Sequence, residues 1–375
     1  MSLQASAVLR ASALLAMFAI VLASCSGATA STPRGNARDH TGLAAGHQSG
    51  VVYGIVPPQL PPAAQVPRIM RLVSQLAQGK PFIVHLYTDW SQYPSALPAL
   101  DSEIASYVTR GFLVDLALRY VPPSGHDGDV AGFARYVSAM VAHFASQPSV
   151  AYLQVTNEAN SPFNAAASDG AYDNAVGALV AGIEAGAAEK ARTGSRVRLG
   201  FNWFSSLGAP ADQRFFKSIG RLGGRLFASE VSWVGIDLYP GTYVPGSLPP
   251  PGSGHLAASA ASDVSQAIGV LRSDLMPLAG LGSHVAIGVS EIGWATSPPE
   301  RTFAEQAELV KAFMTGVCSV AVPDNVRFVQ WYKLANTVLP TKSSPLSMGL
   351  ASSAMVPYAG FAAYQAVIAH GCTLG

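Results

Sequence analysis

The chain has 375 residues, 49% of them hydrophobic and 12% charged, with a formal net charge of +1. That is enough apolar material for one large core, and a usual size for a single α/β barrel. No basic stripe or acidic tail is present, so nucleic acid is not expected as a partner, since phosphate binding needs clustered Lys and Arg.

The N-terminus has the pattern of a targeting segment. Arg10 closes a short polar region, and the apolar stretch from Ala11 to Ala23 is too short to span a bilayer. Leu22-Ala-Ser-Cys25 then resembles a bacterial lipobox, in which the Cys is diacylated and the precursor is cleaved before it. An ordinary signal peptide that contains a Cys is the alternative. The chain therefore divides into a signal segment at 1–24, a polar Gly/Ser/Ala-rich tether at 25–50, and one folded domain at 51–375. The product is expected outside the cytoplasm, held to the cell membrane through lipid on Cys25, or secreted if the lipobox is not used. With Cys25 lipidated, Cys318 and Cys372 are left to pair in an oxidising compartment; two buried thiols are the alternative.

Beyond the tether, strand-like and helix-like runs alternate. Apolar runs at 51–56, 82–87, 112–119, 150–156, 197–202, 231–238, 285–290 and 326–331 are short and rich in Val, Ile, Leu and Phe, as in parallel strands covered on both faces. Between and after them, 66–78, 99–109, 130–145, 171–191, 210–221, 257–275, 303–322 and 358–370 carry apolar residues at helical spacing. Asp129 and Thr302 are placed to cap two of these helices. Eight such alternations predict a single-domain (β/α)8 TIM barrel rather than a doubly wound sheet. The absence of a G-x-G-x-x-G after the first strand argues the same way. Two long connections, 239–255 and 332–357, leave the C-terminal rim and are expected to wall a cleft or simply to be surface insertions.

Two glutamates stand out against this frame. Val150-Ala-Tyr-Leu-Gln-Val-Thr-Asn-Glu158 and Val285-Ala-Ile-Gly-Val-Ser-Glu291 each place a carboxylate at the exit of a buried strand, where it is costly without a task. The strands are the fourth and seventh, whose ends face each other across a barrel mouth. Either Glu alone could merely stabilise a helix N-terminus.

These segments resemble the superfamily of (β/α)8 retaining glycosidases with the acid/base on strand four and the nucleophile on strand seven. Asn157-Glu158 looks like its Asn-Glu pair, which implies Glu158 as acid/base and Asn157 on the sugar 2-hydroxyl. Ser290-Glu291-Ile-Gly-Trp294 looks like the nucleophile segment, in a form found in β-1,3-glucanase-type families. Gly235-Ile-Asp-Leu-Tyr239-Pro resembles the strand-six segment whose Tyr touches the nucleophile. The chain departs from the commonest form at Ala159, where many members carry Pro. The resemblance implies a neutral, β-linked oligo- or polysaccharide substrate, no metal and no organic cofactor.

Other residues are expected to complete the site. Trp90, Trp203, Trp294 and Trp331 fall at or just beyond strand ends, where indole faces could stack on sugar rings. Asn202 could bind a hydroxyl, and Arg119 could keep Glu291 ionised. His85, within the second strand, is expected to be a core histidine. No HExxH, G-x-S-x-G or Walker pattern occurs. Lys333 is the one strand-end candidate for Schiff-base chemistry and fits a rim residue better. A monomer is expected, with the membrane touched only through the N-terminal lipid. The reading from a different class is a non-catalytic lipoprotein that binds glycans on the same scaffold, which needs the aromatic residues but not the meeting of the glutamates.

Overall fold

A computed structural model of the protein describes residues 50–205, 210–243, 248–252, 255–297, 300–336 and 347–372. The targeting segment, Cys25 and the tether up to residue 49 lie outside the described residues.

The strands are β1 (Val52–Ile55), β2 (Phe82–Asp89), β3 (Leu113–Arg119), β4 (Val150–Val155), β5 (Arg198–Phe204), β6 (Trp233–Leu238), β7 (Ala286–Ile292) and β8 (Val326–Trp331). They pair in sequence order, all parallel, and β8 closes on β1. The helices are α1 (Val66–Ala77), α2 (Leu97–Val108), α3 (Val130–His143), α4 (Ala175–Thr193), α5 (Pro210–Glu230), α6 (Leu256–Val270), α7 (Phe303–Val320) and α8 (Ala359–His370). The expected (β/α)8 barrel is therefore the architecture.

Local chemistry sets several boundaries. Asp129 caps α3 by accepting the Gly132 N–H at 2.8 Å. Thr302 and Glu305 form a reciprocal capping box at the start of α7. Three strands run two residues past their predicted ends: β2 to Asp89, β5 to Phe204 and β7 to Ile292. There the apolar pattern stops because the inner face opens onto a cleft, while the ladder hydrogen bonds continue. Helix α4 starts at Ala175, later than predicted, because Asp169–Ala171 forms a separate single turn. Helix α5 runs on to Glu230 across a break at Gly224, whose φ of 53° suits only glycine well.

The barrel interior is layered. At the bottom, Ile83, Tyr152, Trp233 and Phe328 fill the axis. Large rings fit there because the neighbouring strand carries glycine in register: a Cβ at Gly200 would strike the Trp233 ring, and one at Gly288 the Phe328 ring. Above this lies a polar layer. His85 meets Asp115 at 2.9 Å, and Gln330 Nε2 donates to the same carboxylate at 2.9 Å, all fully buried. His85 is thus a buried core residue. Outside the strands, a continuous apolar shell packs the helices onto the barrel. The Cys318–Cys372 disulfide, with Cα atoms 5.2 Å apart, ties α7 to the residues just after α8.

Candidate active site

The chain rises sharply at the end of β4. Thr156 and Glu158 both have left-handed backbones, with φ of 67° and 48°. Such conformations cost about 1–3 kcal/mol each in residues other than glycine, so surrounding bonds must hold them. Two buried side chains do so. Asp169 accepts the Asn157 N–H at 2.7 Å, and Asn202 accepts the Glu158 N–H at 2.8 Å through its Oδ1. The result lifts Glu158 over the barrel mouth, where it is 7% exposed.

Glu291, 5% exposed, sits inside the last turn of β7. Its two oxygens each accept a phenol: Tyr87 donates to Oε1 and Tyr239 to Oε2. Burial and the Glu291 charge hold both phenols above their usual range, so both remain donors. Glu158 receives one hydroxyl, from Ser168, on Oε2.

A third carboxyl, Asp237 on β6, lies close to both. Side-chain oxygens of Glu158, Asp237 and Glu291 fall within 4.8 Å of one another. Asp237 accepts Ser290 Oγ at 2.6 Å and an amide hydrogen of Asn202. Three acidic groups this close cannot all be charged at neutral pH. Burial, then the charge of Glu291, pushes Glu158 up to about 8, with Ser168 pulling against the rise. Burial, then Glu291 and Glu158, raises Asp237 well above the usual carboxylate range. A trio of this kind has the ligand chemistry for a divalent cation. In this protein, hydroxyl and amide donors already serve each member.

The glutamates open into a cleft of about 840 Å³. Its walls come from the loop after β1 (Pro57–Leu60 region), the ends of β2, β3, β5 and β7, the 157–168 loop, Tyr239, Tyr243, Tyr332 and Lys333. The connections after β6 and β8 thus contribute cleft walls at their starts; residues 244–247, 253–254 and 337–346 within them lie outside the described residues.

Several expected site residues stand elsewhere. None of the four named tryptophans lines this cleft. Trp331 is fully buried against Phe313 and Tyr364. Trp203 packs edge-on to Phe216, and Trp90 stacks on Tyr120 at 5.9 Å. Trp294 is 1% exposed, with the Arg301 guanidinium 4.0 Å over its ring, and borders a separate cavity that contains neither glutamate. For Trp331 and Trp203, the two within strands, the reason is strand alternation. On β8, Gln330 faces the axis, so Trp331 faces the helices; on β5, Asn202 faces in and Trp203 out.

Arg119 lines the cleft but does not pair with Glu291. Its Nε and Nη2 bind Asp169 Oδ1 at 3.1 and 3.0 Å, and Asp89 lies at 4.0 Å. Asn202 is fully buried and serves as a bracket between Glu158, Asn157 and Asp237 rather than as a sugar ligand. Asn157 reaches the cleft, yet its Oδ1 already accepts Gln154 and Asn202 and its Nδ2 donates to Ala167 O at 2.8 Å. Only its second amide hydrogen is left for a ligand.

Tyr87, Ser168, Asp169, Asp237 and Tyr332 were not foreseen as site residues. Tyr87 carried a signal, since it follows His85 by two along β2 and so shares its inward face. Tyr332 relates to Gln330 in the same way. Ser168 and Asp169 lie in a loop with no periodicity to betray them.

No protein-family model matches the sequence, and a search of curated proteins finds no match. Solved structures with the same fold do exist. One is an alanine variant of GH5_18 from Streptomyces cattleya in complex with Manb1-4GlcNAc, with a TM-score of 0.63 at 14% identity, covering 85% of this chain and 80% of that one. Another is xylanase 10B from Thermotoga maritima, with a TM-score of 0.57 at 11% identity, covering 86% and 95%. A third is a family 39 glycoside hydrolase from Bacteroides cellulosilyticus WH2, with a TM-score of 0.57 at 15% identity, covering 84% and 63%. At such identities the likeness defines a shared (β/α)8 fold.

Proposed function

We propose that this protein is a retaining glycoside hydrolase acting on a neutral, β-linked glycan. The observation that carries the reading is the close approach of Glu158 and Glu291, whose oxygens come within 4.8 Å across the cleft. Double displacement wants carboxyl groups about 5–5.5 Å apart, whereas inversion leaves room for water at about 6.5–9.5 Å. A glycan-binding protein without catalysis would have no need of this approach. The fold shared with a GH5_18 protein in complex with Manb1-4GlcNAc and with a xylanase supports the same reading.

In the first step Glu158 gives its proton to the glycosidic oxygen while a Glu291 oxygen attacks the anomeric carbon. The carbon–oxygen bond to the leaving sugar breaks, and a glycosyl ester forms on Glu291. In the second step the Glu158 carboxylate takes a proton from water, whose oxygen displaces Glu291 from the same carbon. Two inversions give retention. The two roles match the two surroundings: Glu158 holds a proton up to about pH 8, and Glu291 has two phenol donors directed at its oxygens.

We further propose that the enzyme works outside the cytoplasm, anchored through lipid on Cys25 after removal of residues 1–24. The sequence of the N-terminus supports this, as does a disulfide joining Cys318 to Cys372.

The decisive experiment is Glu291→Ala. Hydrolysis is expected to be abolished, and added azide to restore turnover with a glycosyl azide of inverted configuration. Activity retained in this variant, with product stereochemistry unchanged, removes Glu291 as nucleophile.

A further inference from the structure

The strands bearing Glu158 and Glu291 divide the barrel mouth into two unequal arcs, and the arcs differ in chemistry. The longer arc runs from β8 through β1 and β2 to β3. Its part of the cleft carries the charged and amide side chains Gln59, Asp89, Gln92, Arg119 and Lys333, beside apolar ones such as Pro57, Leu60 and Leu100. The shorter arc holds the ends of β5 and β6 and is aromatic. Phe204 stacks on Tyr239 at 6.4 Å and 27°, and Tyr243 leans on both rings, with centroids 5.1 Å from Tyr239 and 6.4 Å from Phe204. The loop after β4 is fixed to this arc by Asn160, which donates to Phe204 O and accepts Phe204 N–H, both at 2.8 Å. The same loop is held on its far side by Arg119, which donates to Ala166 O at 3.0 Å and Ala165 O at 3.3 Å, and Phe163 lies between the two anchors.

Exposure makes this arc unusual. Phe163 is 84% exposed and Tyr243 53% exposed, and both line the cleft that holds the glutamates. Among the described residues Tyr93 is the only other aromatic side chain exposed, at 37%. Solvent-facing aromatic rings on the walls of a reactive cleft point to a ligand that covers them.

We infer that Phe163, Tyr243 and Phe204 form a stacking subsite for the leaving sugar of a β-linked chain. The inference rests on the hydrolase reading and deepens it by assigning the two arcs. The sugar attacked by Glu291 develops positive charge, so it needs an enclosed place with polar groups on its hydroxyls. The longer arc offers the charged and amide groups. The leaving sugar changes charge little, must depart, and must let water in behind it. A shallow ring surface suits it, because an apolar sugar face can stack there without directional bonds. The substrate class that follows is a saccharide with a further sugar on the leaving side, not a glycoside of a small alcohol.

The test compares substrates with and without that ring. Probes are the tetrasaccharides of β-1,3-glucan, β-1,4-glucan, β-1,4-mannan and β-1,4-xylan, each beside the β-glycosyl fluoride of its own sugar, which carries no leaving ring. In Phe163→Ala and Tyr243→Ala, the ratio of kcat/KM on the tetrasaccharide to kcat/KM on the fluoride is expected to fall about fivefold for each ring removed. Transfer from the fluoride to an added sugar acceptor is expected to fall in parallel, in favour of hydrolysis. An unchanged ratio overturns the subsite while leaving the hydrolase standing. Turnover of none of the probes by the unsubstituted protein removes the hydrolase reading and the subsite with it. Both side chains are exposed, so a thermal melt close to that of the parent separates a binding effect from misfolding.

Discussion

Glu158 and Glu291 are the same side chain at nearly the same depth, and their surroundings oppose each other. Glu291 lies in a strand and receives two phenol donors. Glu158 lies on a strained turn, receives a single hydroxyl, and keeps its proton up to about pH 8. Donors favour a charged carboxylate and burial disfavours it, so the number and kind of donors divide the roles of nucleophile and acid. The carboxyl of Asp237, close to both, is held above the usual range by burial and by their charges.

Substituting the two glutamates gives the largest test of this contrast. Glu158→Ala is expected to lose about 10²–10⁴-fold in kcat/KM on glycosides with poor leaving groups, and far less on a glycosyl fluoride, which needs no proton. Azide added to this variant should give a glycosyl azide of retained configuration, opposite to the product from Glu291→Ala. The same configuration from both variants breaks the assignment.

The phenols come next. Tyr239→Phe or Tyr87→Phe removes one donor from Glu291, and a hydrogen bond to a charged group contributes about 1.5–3 kcal/mol. A loss of about 10–100-fold in kcat/KM is expected, read by steady-state kinetics, with the melting temperature little changed. A loss confined to stability would reduce the tyrosines to packing.

The smallest effects concern pH. The acid must be protonated in the first step, so kcat/KM should fall as pH rises through about 8. Ser168 stabilises the charged form of Glu158, so Ser168→Ala should move this alkaline limb to higher pH. A limb that moves downward or stays in place contradicts a direct contact in solution.

Legibility followed periodicity. The eight alternations were visible because parallel strands covered on both faces are short apolar runs, and amphipathic helices repeat between them. Strand ends were less visible where the inner face meets the cleft, which is why β2, β5 and β7 came out two residues short. Glu158 and Glu291 were legible as charged residues at the exits of buried strands. The tryptophans misled because position near a strand end does not give the face, and one step along a strand reverses it. Trp331 beside the inward Gln330, and Trp203 beside the inward Asn202, are the two clearest cases.

The order of residues along the chain determined an alternating barrel with two carboxyls at opposite strand ends, since burial of apolar faces depends only on local pattern. Folding alone decided which groups surround those carboxyls. Tyr87 reaches Glu291 from β2, Asn202 holds the Glu158 backbone from β5, and Asp169 returns from a loop to fasten the turn. Hydrogen bonds act over a few ångströms in space between residues far apart in sequence, and no spacing along the chain encodes that closeness.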